Sequence, residues 1–537
     1  MFKSKKLFTL LPGLLLAVLT LSGCQKDKNV RVLRILNSED YIYEYEEGDE
    51  EYASGEHDFQ EDMIDQFIHY WKAKTGEKIE VVYDTFDTNE TMFNELQTGK
   101  TTYDICIPSD YMVQKLYSNN MLHKLIHEDD IWKNISPFIE DTYGDIKATN
   151  LENNIEATMR EYSVPYMWGT MGIMYNPSYY AEKLGISEDE VHEIMKDWDS
   201  LYGEILKDSF SIKDSVRDTF AVGLIHAYAD EISKASSYEE LSTIFNRHGQ
   251  DTIALVKEDL NKLKENAFGF ETDSGKTDMT TEKIGANMCW SGDATWAITE
   301  ARDDDPKTEV VEDKLQLYYS IPTSYKGEEG KSASNLWFDC FCMPKNAKDE
   351  SNPTPEELAQ YELAEGFIEF MCMPEIAAQN CYCVGYTPAV AGDAMLDYMY
   401  DCYDVRGVVR DEDGNPVDTS ELIEGEDYEL YDLSYFYKGS FEEYLDSDAV
   451  LYADPDVIGR ELSAQYPTIE TLDRCAIMEN FDEDTTIAIL DMWESVRTNA
   501  LPVWAIVLFI VEGVALLSFV GLLIYRKQSR KRLKKAR

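Results

Sequence analysis

The chain has 537 residues, with 103 Asp+Glu against 49 Lys+Arg and a formal net charge of −54. A chain this acidic repels phosphate backbones, which excludes a nucleic-acid binder without a concentrated basic patch. At 44% hydrophobic and 12% aromatic it is too apolar for a disordered acidic polymer, and its length suits two to four domains or lobes.

The chain begins Met1-Phe2-Lys3-Ser4-Lys5-Lys6, runs apolar from Leu7 to Leu21, and then reads Ser22-Gly23-Cys24. A basic start, a short apolar stretch and small residues predict a secretory signal over 1–23. The Leu-Ser-Gly-Cys ending resembles a bacterial lipobox, which would make Cys24 the lipidated first residue of the mature protein.

Residues Val30 to Leu36 alternate apolar and polar and predict a strand. An acidic insert follows from Glu44 to Asp62. Met63, Ile64, Phe67, Ile68 and Trp71 have helical spacing, and Gly76 ends that helix. Lys78 to Phe86 predicts a strand, Glu90 to Gln97 a short helix, and Tyr103 to Pro108 a buried strand. The alternation implies a mainly parallel α/β sheet. Further strands are predicted over Tyr162–Asn176, Ala286–Trp290, Leu315–Ile321 and Leu336–Met343, and helices over Ile253–Asn266 and Glu356–Met371. Arg406 to Asp418 reads as a hairpin, Asp418 to Asp456 as a second acidic, Tyr-rich insert, and Leu462 to Arg497 as helix.

The segment Pro502–Tyr525 is apolar over 24 residues apart from Glu512, Ser518 and a few glycines. At 1.5 Å per residue it reaches about 36 Å and predicts a transmembrane helix. The tail 526–537 has eight Lys/Arg and no acid, which predicts a cytoplasmic end with the rest outside. Glu512 would face another transmembrane helix.

Of ten Cys, nine remain if Cys24 is lipidated. Cys340/Cys342 and Cys381/Cys383 are spaced two apart, which on a strand places each pair on one face; most read as small buried hydrophobes. Seven scattered His without a metal-binding spacing argue against a metal site, and no cofactor is implied. No Gly-x-Ser-x-Gly elbow or His pair suggests an enzyme.

Several short stretches occur in a fixed order: Asn89-Glu90-Thr91-Met92, Tyr103-Asp104-Ile105-Cys106-Ile107-Pro108-Ser109-Asp110-Tyr111, Tyr162-Ser163-Val164-Pro165-Tyr166-Met167-Trp168-Gly169-Thr170, Asp214-Ser215-Val216-Arg217-Asp218, Trp290-Ser291-Gly292-Asp293-Ala294, Asn335-Leu336-Trp337-Phe338-Asp339 and Gly385-Tyr386-Thr387-Pro388. Together they resemble the extracellular solute-binding proteins of spermidine/putrescine ABC importers, from about Val32 to Arg497. The resemblance implies a type II-like periplasmic-binding-protein fold, with two α/β lobes and a ligand cleft between them. Lobe 1 would comprise 32–162 and 293–380, and lobe 2 would comprise 163–292 and 381–500. Crossings would fall near Glu161–Tyr166, Asp293–Trp296 and Asn380–Tyr386. The partners implied are a polyamine, permease subunits and the membrane, at the extracytoplasmic face; another small cationic or zwitterionic solute, or a sensing ectodomain, is the alternative.

A polyamine needs carboxylates at its ammonium groups and apolar or aromatic walls along its methylenes. Aromatic faces also attract cations, by about 0.5–2 kcal/mol. The motifs offer Tyr41, Tyr111, Trp290 and Trp337 as aromatics, Asp218 and Asp293 as acids, and Ser109 as a polar contact. Asp293 also reads as a helix cap and Asp218 as a partner of Arg217 or a solvated acid, with Asp214 or Ser215 as alternative contacts. Trp168 reads as a structural aromatic. Ser38 stands where the family usually has an aromatic.

Overall fold

The computed structural model describes residues 30–45, 61–303, 312–313, 315–405, 422–425, 427–437 and 449–498. Eleven strands form one mixed sheet: β1 (Arg31–Ser38), β2 (Ile79–Phe86), β3 (Ile105–Cys106), β4 (Ser163–Tyr175), β5 (Phe210–Lys213), β6 (Gly269–Glu271), β7 (Ala286–Trp290), β8 (Tyr318–Ser320), β9 (Ser334–Cys342), β10 (Thr387–Pro388) and β11 (Cys475–Ala476). The path runs β2-β1-β3-β9-β4-β7-β5-β6, with β8 and β10 paired to β4 and β11 to β9.

The expected mainly parallel sheet is corrected by this pairing. Two parallel wings, β2-β1-β3 and β7-β5-β6, flank a centre in which β9 and β4 run antiparallel to each other and to the adjoining wing strands. β4 is buried at all 13 positions and serves both wings. Residues 163–170 pair with β9, and residues 171–175 pair with β7.

Local sequence explains the covering helices. Helix α1 (Met63–Thr75) buries Met63, Phe67 and Trp71 and ends at Gly76, whose φ of 76° suits a residue without a β-carbon. Helix α2 (Asn89–Thr98) starts where Thr88 accepts a hydrogen bond from the Thr91 backbone N–H. Helices α3 (Asp110–Ser118), α4 (Val216–Ala227), α5 (Gln250–Asn266) and α6 (Ser291–Glu300) follow. Helix α7 (Pro355–Met371) opens with a Thr354/Glu357 capping box, and α8 (Pro374–Val384) ends at Gly385.

Three other expectations change. The continuous helix expected over 462–497 is broken: Pro467 interrupts it, β11 intervenes, and Asp482 caps a new helix α9 (Glu483–Arg497). Cys381 and Cys383 lie on α8, not on a strand, so Cys381 is buried and Cys383 exposed. The C-terminal transmembrane helix is not part of the fold described: among the described residues no helix is long and apolar enough to cross a membrane. The longest of them, α5 and α7, have 17 residues and reach only about 26 Å. The segment 502–525, Glu512, the basic tail, the signal 1–23, Cys24 and the hairpin at 406–418 lie outside the described residues.

The wings place chemistry at their centre. Ser38 and Cys106 end β1 and β3, and Lys213 and Trp290 end β5 and β7. In open α/β sheets the carboxyl ends of parallel strands are where ligands sit.

Candidate functional site

Asp339 lies near the end of β9. The register with β4 is regular from Leu336 to Asp339 and then slips between Asp339 and Cys340. A bulge of this kind re-aims the side chains beside it. The Asp339 carboxylate accepts hydrogen bonds from the Tyr41 hydroxyl at 2.8 Å and the Ser109 hydroxyl at 2.7 Å. Ser109, just ahead of α3, is held by Asn89: its hydroxyl accepts from Asn89 Nδ2 at 2.9 Å and its backbone N–H donates to Asn89 Oδ1 at 3.0 Å. Burial pushes Asp339 up to about 6, against the downward pull of the two hydroxyls.

Aromatic rings enclose this carboxylate. Tyr41 meets Tyr166 and Tyr386 edge-on, with centroids 5.4 and 4.9 Å apart, and Tyr386 lies 5.9 Å from Trp337. Glycines make the space. A β-carbon at residue 292 would come within 2.3 Å of the Tyr386 ring, and one at residue 169 within 2.6 Å of Trp337.

Asp218 sits buried in the first turn of α4 and accepts from the Ser215 hydroxyl at 2.5 Å and Asn335 Nδ2 at 3.3 Å. Burial raises its pKa, while the Ser215 and Trp290 side chains hold it down. Asp214 precedes the helix and pairs with Arg497 at 2.9 Å, so the two acids do not share a helical face. Arg217 does not take Asp218 either. Its guanidinium lies 4.5 Å from the Tyr111 ring and 4.2 Å from Phe481, and donates to the Glu479 carbonyl. The Tyr111 hydroxyl donates to Glu90 at 3.2 Å. Asp110 is buried behind them and accepts from the backbone N–H groups of Tyr111 and Phe338.

Asp293 is the third carboxylate, and it is already neutralised. Lys213 Nζ donates to it at 2.8 Å, the Tyr386 hydroxyl donates at 2.8 Å, and Lys276 lies 3.8 Å away. Burial alone would raise its pKa, but the two lysines outweigh burial and leave it below the usual value. Asp293 is the third residue of α6, which leaves the capping position to Trp290. The Trp290 ring supports the same Lys213 ammonium at 4.4 Å.

The predicted residues are therefore brought to one region through shared contacts. Tyr41 and Ser109 meet at Asp339, Trp337 joins them through the Tyr386 ring, Trp290 stands between Asp218 and Lys213, and Tyr111 packs against Arg217 beside Asp218. Trp168 is buried in β4 against Phe436 and Tyr466, a packing role. Sequence reasoning left out Asp339, Tyr386 and Asn89, although all three stand inside the quoted motifs, and Lys213, which adjoins one. Among the described residues no cluster of three His, Cys, Asp or Glu is arranged for a metal ion.

A family model described as bacterial extracellular solute-binding protein matches residues 63–394, and the chain belongs to that family. It is thus a binding protein of transport systems and not an enzyme. A spermidine/putrescine-binding periplasmic protein of Salmonella typhimurium is 26% identical over 345 residues, 62% of this chain and 76% of that protein. A putrescine-binding periplasmic protein of Pseudomonas aeruginosa is 24% identical over 367 residues, 67% of this chain and 78% of its own length. Among solved structures, a candidate spermidine/putrescine ABC transporter from Listeria monocytogenes aligns with a TM-score of 0.53 and 21% identity, covering 87% of this chain and 99% of its own. That likeness gives the periplasmic-binding-protein type of α/β fold.

Proposed function

We propose that this chain is the substrate-binding component of an ABC importer that captures polyamines outside the cytoplasm and passes them to a permease. The observation that carries the reading is the pair of carboxylates Asp218, buried, and Asp339, half-buried, set among Tyr41, Tyr111, Trp290, Trp337 and Tyr386. Among the described residues neither is in an ion pair. Buried anions without a cation are costly, and ammonium groups relieve that cost through charge-assisted hydrogen bonds. The rings then line the methylene chain. The names of the similar curated proteins support the same ligand class.

In this reading Ser109 orients Asp339, and the ligand lies between two lobes, 32–162 with 293–380 and 163–292 with 381–500. The lipobox supports an acyl anchor at Cys24. Titration calorimetry of the full-length chain with putrescine and spermidine tests the proposal. Binding of at least one in the micromolar range is expected; no binding of either below millimolar concentration overturns it and leaves another small solute as the ligand.

A further inference from the structure

Lys213 ends β5 with its side chain only 3% exposed. Its ammonium has the environment that a polyamine nitrogen requires. It donates to Asp293 at 2.8 Å, lies 3.8 Å from Glu271 and sits over the Trp290 ring at 4.4 Å. A carboxylate on one side and an indole face on the other make a cation niche.

The niche is built in advance. Glu271 accepts from the Gly275 N–H at 2.9 Å and from Asn287 Nδ2 at 3.3 Å. A β-carbon at residue 275 would stand 1.7 Å from Asn287 Nδ2 and 2.8 Å from Glu271, so glycine is required for this cradle. Asp293 is fixed by the Tyr386 hydroxyl, and the Tyr386 ring touches Tyr41, whose hydroxyl binds Asp339. The filled niche and the open carboxylates therefore belong to one continuous wall.

We propose that Lys213 is a built-in ammonium that occupies one of three carboxylate positions of the cleft, leaving Asp218 and Asp339 for the ligand and so selecting α,ω-diamines over triamines. The inference rests on the polyamine reading above. Two anions accept two ammonium groups. A third ammonium on the ligand meets Lys213 where its partner would be, and like charges at that distance repel.

Calorimetry with putrescine and spermidine on the full-length chain tests it. The wild type is expected to bind putrescine more tightly. In Lys213→Met/Glu271→Gln, which removes the ammonium together with one of its two anions, the affinity ratio is expected to move toward spermidine by about tenfold. Adding Asp293→Asn to that variant removes the carboxylate, which there keeps only the more distant Lys276 at 3.8 Å, and is expected to return the ratio to its wild-type value. A wild type that prefers spermidine overturns the inference without any variant, so failure of a variant to fold does not shelter it. An unchanged ratio in the double variant overturns it as well, while polyamine binding stands. Binding of neither amine by the wild type overturns the polyamine reading itself.

Discussion

Asp293 is a buried carboxylate and Asp339 a half-buried one, each touched by a tyrosine hydroxyl at 2.8 Å, yet their electrostatics are opposite. Asp293 has Lys213 and is held below its ordinary pKa; Asp339 has no cation and is pushed up to about 6. Burial alone does not decide the charge of an acid. The supply of a counter-ion does, and the position without one is where a cationic ligand gains most.

Substitutions can break this contrast. The largest effect is expected from Asp293→Ala, which takes the hydrogen-bonded partner from the buried Lys213 ammonium and leaves it only Glu271 at 3.8 Å; a loss of about 3 kcal/mol in urea unfolding follows. Asp339→Asn leaves no stranded cation and should hold or raise stability near pH 7. It should instead weaken polyamine binding by about 2 kcal/mol or more, roughly 30-fold, in calorimetry. Equal unfolding losses in the two variants would erase the distinction.

The pH dependence sharpens it. Only ionised Asp339 attracts an ammonium, so affinity should fall on acidification below about 6, approaching tenfold per unit. Stability of the unliganded protein runs the other way. Asp339 and Asp104, both raised by burial to about 6 from a reference of 3.8, bind protons more tightly folded than unfolded. Their contribution is full below 3.8 and is lost as pH rises through about 6, so melting profiles should show a decline over that window that Asp339→Asn reduces. The smallest change is expected from Tyr386→Phe. It removes one hydrogen bond to Asp293 and should cost about 1–2 kcal/mol in the same unfolding assay.

Local patterns carried much of this architecture. Alternation over Val30–Leu36, which overlaps the observed strand Arg31–Ser38, and helical spacing ending at Gly76 depend on neighbouring residues, and both are visible in the chain order. The antiparallel centre is not, because β4 meets β9 about 170 residues away and pairing direction leaves no local trace. Lys213 was invisible for the same reason: its anion stands 80 residues on, and a lysine before Asp214 reads as solvated. Asp339 was legible as part of a motif, but the bulge that turns it toward Tyr41 and Ser109 breaks the two-residue alternation that would otherwise assign its face. Asp218 and most of the aromatic set could be proposed from the chain order because they stand in the motifs that carry the resemblance, and their types suit an ammonium ligand.

The long strand β4 has a mechanical consequence. Its 13 residues extend about 43 Å and are stitched to β9, which adjoins one wing, through residue 170 and to β7 of the other wing from residue 171. Rotation of one wing against the other therefore loads this strand in torsion, like a leaf spring clamped at both ends. Gly169 and Gly172 bracket the changeover, and a β-carbon at either would stand about 2.6 Å from a ring, Trp337 or Tyr319, so the missing side chains are what let the strand pass this close to its neighbours.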